Sequence, residues 1–322
     1  MSYWQNKVVM ITGVCGLIGA PLAKMLRDDG ANVIGVDTDY PGCLRHYDLH
    51  DGAMPVHRVD ITDRDMVRIA VARANPSIMF HLAAVSHVEK SRSLGAVTID
   101  VNVGGVLNIL EAARVQGARV IVPSSNHVYG PQDVTPTTED APLRQMDTYS
   151  VSKIMADYLS RAYAHNYQTD VVVVRNTNCY GPFDPHEDHI VPSTVFSLLR
   201  GTPPVIRSEG TVKKSFLYVD DVCRSYMIAA EHGQSGKAYN VAGNQSYSAK
   251  DMVDMIRDIM PEGRSIPHVQ VLCKQSDQSD EYLDSSLIRE LGWEPQETLR
   301  SGLEKAIEGL RQLQKEGVLS TR

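Results

Sequence analysis

The most restrictive stretch of this chain is VVMITGVCGLIG, residues 8–19. Apolar residues of strand character run straight into glycines at 13, 16 and 19, and an amphipathic pattern follows over Leu17–Leu26. Strand, tight glycine turn and helix in direct succession make a βα unit, whose natural continuation is a parallel sheet. Glycines there permit a sharp turn and close backbone approach, and the helix opening attracts a pyrophosphate. Glycines also serve simply to pack a helix on a strand, so the context has to decide. Asp37 closes the next strand, NVIGVD (32–37), 24 residues after Gly13. A carboxylate at that place can hold both hydroxyls of an adenosine ribose and repels a 2′-phosphate, so the expected cofactor is NAD rather than NADP. Leu17 and Ile18 share the glycine loop. Asp60 and Ile61, at the end of PVHRVD (55–60), are expected on the adenine side.

The alternation continues. SIMFHLAA (77–84), RVIVPSS (119–125) and DVVVVRNTN (170–178) read as strands, with helices over Val97–Gln116 and near 149–167 between them. After residue 180 the rhythm changes to a loop, GPFDPHEDHIVP, then a helix near 193–200, short strands, and helices near 219–231, 248–259 and 298–315. The expected architecture is α/β: a Rossmann-type doubly wound parallel sheet over residues 1–180 and a smaller C-terminal α/β lobe over 181–322, with segments free to cross back.

A net charge of −7 argues against a phosphate-driven grip on nucleic acid. Five scattered cysteines (15, 43, 179, 223, 273) lack CxxC spacing and read as reduced thiols. No run is expected to reach the ~20 apolar residues that cross a bilayer, and no signal peptide is evident, so the expectation is a cytoplasmic protein.

Tyr149 and Lys153 stand four apart in YSVSK, on one face of a helix. A Tyr, with a reference pKa near ~10, works as a base at neutral pH only if a cation stabilises its phenolate, a field that Lys153 together with an oxidised nicotinamide can supply. Ser125 closes the fifth strand and can donate to a substrate oxygen. These motifs, with HLAAVSHVEKS, SSNHVYG, RNTNCYGP, FLYVDDV and LGWEP, resemble the extended short-chain dehydrogenase/reductases, NAD-dependent sugar-nucleotide epimerases and dehydratases, over nearly the whole chain. PPVIRSEGT and EYLDSSLIRELGW are similar to the CDP-glucose 4,6-dehydratase and CDP-sugar epimerase branch. The resemblance implies a nucleoside-diphosphate-sugar substrate for the C-terminal lobe and a homodimer through helices near 97–116 and 149–167. It places Ser125, Tyr149 and Lys153 in a catalytic triad, with Tyr149 and Lys153 also touching the cofactor, Asn178 on a substrate phosphate, and Asn102 near the nicotinamide side. Leu82, Ala83 and Ala84 would line the cofactor cleft. Ser86 and His87 would face the sugar, with a structural role for His87 equally open.

Two departures matter. Dehydratases of this family carry an acid and then a base directly after the Ser/Thr, because C6 hydroxide leaves with a proton while a base takes the C5 proton. Here Asn126 and His127 stand there. An amide has no titratable proton, and one His does not readily do both tasks in a step. The expected reaction is therefore epimerisation, with Asn126 positioning a sugar hydroxyl and His127 as hydrogen-bond partner or base. Dehydration with an acid from elsewhere (Glu89 being one candidate) is the alternative, and a silent dinucleotide-binding sensor a third. The second departure is Lys214–Ser215 where relatives place Arg–Asp, so the bidentate phosphate fork is lost. Arg207 would share the diphosphate or reach the nucleotide base, and Lys274 is a weaker candidate. His186 and His189 in DPHEDH have metal-like spacing without a third ligand in sequence, so the loop is read as a substrate cover with His189 facing substrate, and no metal is expected.

Overall fold

The computed structural model describes residues 2–206, 209–270 and 280–317. Strands β1 (Val8–Thr12), β2 (Asn32–Asp37), β3 (Val56–Arg58), β4 (Ile78–His81), β5 (Arg119–Ser125) and β6 (Val171–Asn176) alternate with helices α1 (Gly19–Asp28), α2 (Arg64–Ala74), α3 (Val88–Ser93), α4 (Gly95–Ile99), α5 (Gly105–Gln116) and α6 (Thr148–Tyr167). Then follow β7 (Asn178–Tyr180), α7 (Ile190–Leu199), β8 (Val205–Ile206), β9 (Lys213–Tyr218), α8 (Val219–His232), β10 (Ala238–Val241), β11 (Ser246–Ser248), α9 (Ala249–Ile259), β12 (Val269–Gln270), α10 (Ser286–Glu290) and α11 (Leu299–Lys315).

Seven strands form one parallel sheet in the order β10-β6-β5-β4-β1-β2-β3. The near-continuous apolar runs of β1, β5 and β6 are the pattern of strands covered on both faces. Two apolar clusters do the covering. One, containing Met10, Val120, Val122, Ile109 and Ala156, lies under α2, α5 and α6. The other, containing Ile11, Ile121, Leu22, Tyr226 and Leu303, lies under α1, α8 and the C-terminal helices. The strand order reverses between β1 and β4, and the crevice beyond that point is where such sheets bind ligands.

The chain after residue 180 does not stay apart from this sheet: β10 pairs with β6 as its edge strand. The remainder builds a sheet β11-β9-β7, antiparallel between β11 and β9, and a two-stranded β12-β8 pair.

The stretch expected as one helix over 97–116 is α4, a π-helical turn at Asp100–Gly104, and α5. Contrary to the expectation of no membrane-length apolar run, Gly95–Gln116 is long and apolar enough by composition to cross a membrane, but 44% of its most apolar window is buried inside the protein. Its apolar face covers the sheet. Val97, Leu107, Met155 and Tyr158 stay exposed on α4, α5 and α6.

A buried ion pair joins α6 to β6. The Arg175 guanidinium, 1% exposed, donates from Nε and Nη2 to the two oxygens of Asp157, at 2.8 and 3.0 Å. Its Nη1 donates to the Tyr129 hydroxyl and the Glu139 carbonyl, and Tyr129 in turn donates to Asn240 on β10. One guanidinium thus joins helix, sheet edge and the 129–139 loop.

Candidate active site

Gly13 turns with φ +70°, and a Cβ there would meet the Ala83 backbone nitrogen at 2.6 Å. The glycine turn after β1 therefore packs directly on the Leu82–Ala83 backbone after β4, at the switch point of the sheet. A Cβ on Gly19 would collide with the Gly13 carbonyl, whereas one on Gly16 would meet only that oxygen, at 3.3 Å. Leu17 and Ile18 are half-buried at the start of α1. Asp37 accepts from the Cys15 backbone N–H on Oδ2 (2.8 Å) and from the Thr38 and Asp39 N–H groups on Oδ1. The carboxylate is thereby held at the mouth of the glycine loop. Asp60 is exposed and caps its own loop, accepting from the Thr62 N–H and hydroxyl. The Ile61 side chain is core, wedged against Gly105 of α5.

Asn102 is 2% exposed, and its amide is fully used: Oδ1 accepts from the Val85 N–H, and Nδ2 donates to the Val85 carbonyl and to Ser152. From within the π turn it clamps the loop after β4 to α6. Ser86 on that loop is exposed.

Asp147 caps α6 by accepting from the Ser150 N–H, which places Tyr149 and Lys153 in its first turns, beside the end of β5. Burial pushes the Tyr149 phenol up to about 12; a hydrogen bond with Ser125 works against it. Burial also lowers Lys153 to about 8. Among the described residues its ammonium donates to the Pro123 carbonyl, at 3.2 Å. An ammonium has three donors, so a hydroxyl-rich ligand suits it. An unfolded Lys titrates near ~10.4, so between about pH 8 and that value the unfolded chain binds the extra proton and stability rises with pH. Below about pH 8 the penalty is fully present. Lys153→Met is expected to melt higher than the wild type at pH 7, by an amount that shrinks towards pH 10, in thermal scans over pH.

Ser125 accepts from the His127 N–H at 3.2 Å and donates to Asn126 Oδ1 at 3.3 Å. His127 lies edge-on to the Tyr149 ring, with centroids 6.4 Å apart, and hydrogen-bonds Asn178. Burial lowers its pKa, leaving a neutral imidazole able to accept a proton. Asn178 also donates to the Ser215 carbonyl.

The residue that sequence reasoning missed is Glu281. Its Oε2 accepts from the Asn126 amide and its Oε1 lies 3.3 Å from Lys214 Nζ. A partner 155 positions away leaves no local signal. Glu89, the acid considered from sequence, is instead exposed and paired with Arg92 on α3. Arg207 and Lys274 lie outside the described residues. Cys15 is buried, and burial with the Asp37 charge raises its thiol far out of the reactive range.

A second group stands beside this cleft. His87 Nδ1 lies 3.0 Å from Asp188, and His189 Nδ1 lies 2.7 Å from Asp184. Burial keeps His87 below its ordinary pKa and His186 down at about 4. For His189 burial opposes the charged form, but Asp184 and Asp188 carry it above the ordinary value.

Comparison with known proteins decides the family. Residues 9–242 match the model described as the NAD dependent epimerase/dehydratase family. The chain belongs to this family. It is an NAD-dependent enzyme of the nucleotide-sugar epimerase/dehydratase class within the extended short-chain dehydrogenases, and the glycine turn at Gly13, Gly16 and Gly19 beside the Asp37 carboxylate fits NAD. It is 30% identical to UDP-glucose 4-epimerase of Mycolicibacterium smegmatis, over 94% of this chain and 98% of that one. It is 29% identical to dTDP-glucose 4,6-dehydratase 1 of Escherichia coli, over 93% and 91%. The structure of Thermotoga maritima UDP-glucose 4-epimerase with UDP-glucose superposes with a TM-score of 0.88 at 27% identity, covering 95% of this chain and 99% of that one. Epimerases and dehydratases thus both stand near this family member.

Proposed function

We propose that this family member is an epimerase of a nucleoside-diphosphate sugar, working through transient oxidation at C4 and return of the hydride. The observation that carries the reading is the complete Ser125–Tyr149–Lys153 apparatus followed by an amide, Asn126, where elimination of water needs an acid. Bound NAD supplies the hydride acceptor at C4 and the donor for its return. Tyr149, as phenolate, takes the C4 hydroxyl proton on Oη, and the Lys153 ammonium holds that charge against the cost of burial. Ser125 donates to the same substrate oxygen. Asn126 orients a neighbouring hydroxyl. When the ketone has formed, Tyr149 returns the proton as the opposite face is reduced. His127, neutral and beside Asn178, is the candidate base if inversion occurs next to the carbonyl by enolisation. Asn178 and Lys214 are the diphosphate contacts on the described chain, and the Lys214 charge is shared with Glu281.

One observation favours the dehydratase reading: Glu281 puts a carboxyl group against Asn126, close to the place of the usual acid. Incubation with NAD and a panel of UDP-, GDP-, CDP-, ADP- and dTDP-sugars in deuterated water, read by mass spectrometry and NMR, separates the two. An isomer of unchanged composition is expected, without deuterium for hydride return at C4 and with it for enolisation. A product lighter by one water overturns the epimerase reading. In that case Glu281→Gln abolishes the water loss while C4 oxidation continues.

A further inference from the structure

We propose that His87, Asp188 and His189 form a site for a divalent transition-metal cation, with Asp184 orienting His189 and His186 at the rim. One ligand atom from each of the three lies within 4.8 Å of the others. His87 precedes α3, while Asp188 and His189 end the connection from β7 to α7, with His189 capping α7. The pair His87–Asp188 spans 101 positions, which is why the third ligand is invisible in the DPHEDH loop itself.

The arrangement behind the ligands is that of a built site. Asp184, 1% exposed, holds His189 Nδ1 at 2.7 Å and leaves Nε2 to bind, the carboxylate–histidine pairing that fixes the ring of a metal-bound imidazole. Asp184 also accepts from the His186 backbone N–H, so it shapes the loop and the ligand together. His87 is 6% exposed, and its Nε2 is buried without a hydrogen-bond partner among the described residues. The ring centroid of His186 lies 4.2 Å from that of His87, and that of His189 lies 4.9 Å from it. Packing of three neutral imidazoles accounts for the ring contacts; a cation between the ligand atoms of His87, Asp188 and His189 would hold the same three groups by bonds.

Bonds of ~2.0–2.2 Å to a tetrahedral cation put ligand atoms roughly 3.4 Å apart; the three stand within 4.8 Å of one another, so a cation would draw them together and replace the 3.0 Å hydrogen bond between His87 Nδ1 and Asp188. Two imidazoles and one carboxylate suit zinc, cobalt or nickel rather than magnesium or calcium. Three protein ligands leave a fourth position for His186 or water, and the 39% exposed Asp188 side chain gives the ion an entry path. Such a cation would fasten the loop after β4 to the β7–α7 connection beside the sugar cleft, and would make His87 and His189 ligands rather than sugar contacts. The inference does not rest on which reaction the enzyme performs.

The full chain, prepared without a histidine tag and dialysed, is to be titrated with zinc and followed by calorimetry, elemental mass spectrometry and thermal melting. One saturable site per chain and a zinc-dependent rise in melting temperature are expected. Cobalt is expected to give the visible absorption of a tetrahedral site. His189→Gln and Asp188→Asn are expected to remove the site, and Asp184→Asn to weaken it about 10–100-fold, each with circular dichroism unchanged. Should a variant misfold, the wild-type zinc and cobalt titrations alone carry the test. Absence of saturable binding to the wild type, or binding unaffected by His189→Gln, overturns the proposal; a change in KM for the sugar without any bound cation returns the histidines to substrate contacts.

Discussion

Tyr149→Phe is expected to lower turnover by about 10²–10⁴-fold, the range that a positioned acid–base group contributes, while NAD affinity stays near that of the wild type. In the proposed mechanism the hydroxyl takes the C4 proton, and the ring that Phe retains preserves the contact with His127. The proposed cofactor cradle, the β1 turn with Asp37, is built from residues other than the phenol. The measurement is turnover of whichever sugar nucleotide proves active, with bound NAD quantified in the same sample. A variant that keeps full activity would remove Tyr149 from the mechanism and leave His127 as the base. Loss of NAD together with activity would show a collapsed site rather than a missing proton acceptor.

Asp157→Asn has the largest expected effect on stability. The substitution leaves Arg175, 1% exposed, without its charge partner in the core, and breaking a buried pair of this kind costs about 3–5 kcal/mol. Arg161, which shares Asp157 at 2.9 Å, is half-buried and can turn towards solvent; Arg175 has no such exit. Tyr129, Glu139 and Asn240 hang on the same guanidinium, so the loosening should spread to the edge strand β10 and the 129–139 loop. A urea titration of both proteins, with an unchanged slope and a lower midpoint, reads this out. Asp157→Leu combined with Arg175→Met is expected to recover much of the loss, because it removes both charges at once. A single-variant cost under about 1 kcal/mol would mean that the pair behaves like a surface ion pair and that water reaches Arg175.

Contacts within a turn or two of chain were legible in the sequence. The strand–glycine–helix succession at residues 8–19, the strand-end carboxylate of Asp37, and the four-residue spacing of Tyr149 and Lys153 depend on backbone periodicity and short-range sterics. The strands β1, β2 and β5 accordingly keep the residue limits expected of them. The parallel sheet followed because alternating strands and helices have few other ways to cover both faces. Local reasoning lost detail where a distant partner reshaped the chain. Asn102, bonded across to Val85 and Ser152, sits in the π turn that breaks the apolar run 95–116, a feature that helical spacing does not announce.

The long-range contacts that bear on the specific chemistry were decided by tertiary structure. Glu281 reaches Asn126, His87 reaches Asp188, Asp157 reaches Arg175, and β10 returns to the sheet edge after the excursion through β7–β9. A charged or polar side chain carries no mark in sequence of which opposite partner the fold will deliver to it. Helix and strand periods describe the face that a residue occupies, but the meeting of two faces depends on how the crossovers pack. The sequence by itself determined the sheet, the cofactor turn and the Tyr–Lys pair, because short-range geometry suffices for each. The fold alone decided which carboxylate stands beside Asn126 and which imidazoles gather at Asp184 and Asp188, because those neighbours come from segments that only long-range packing brings together.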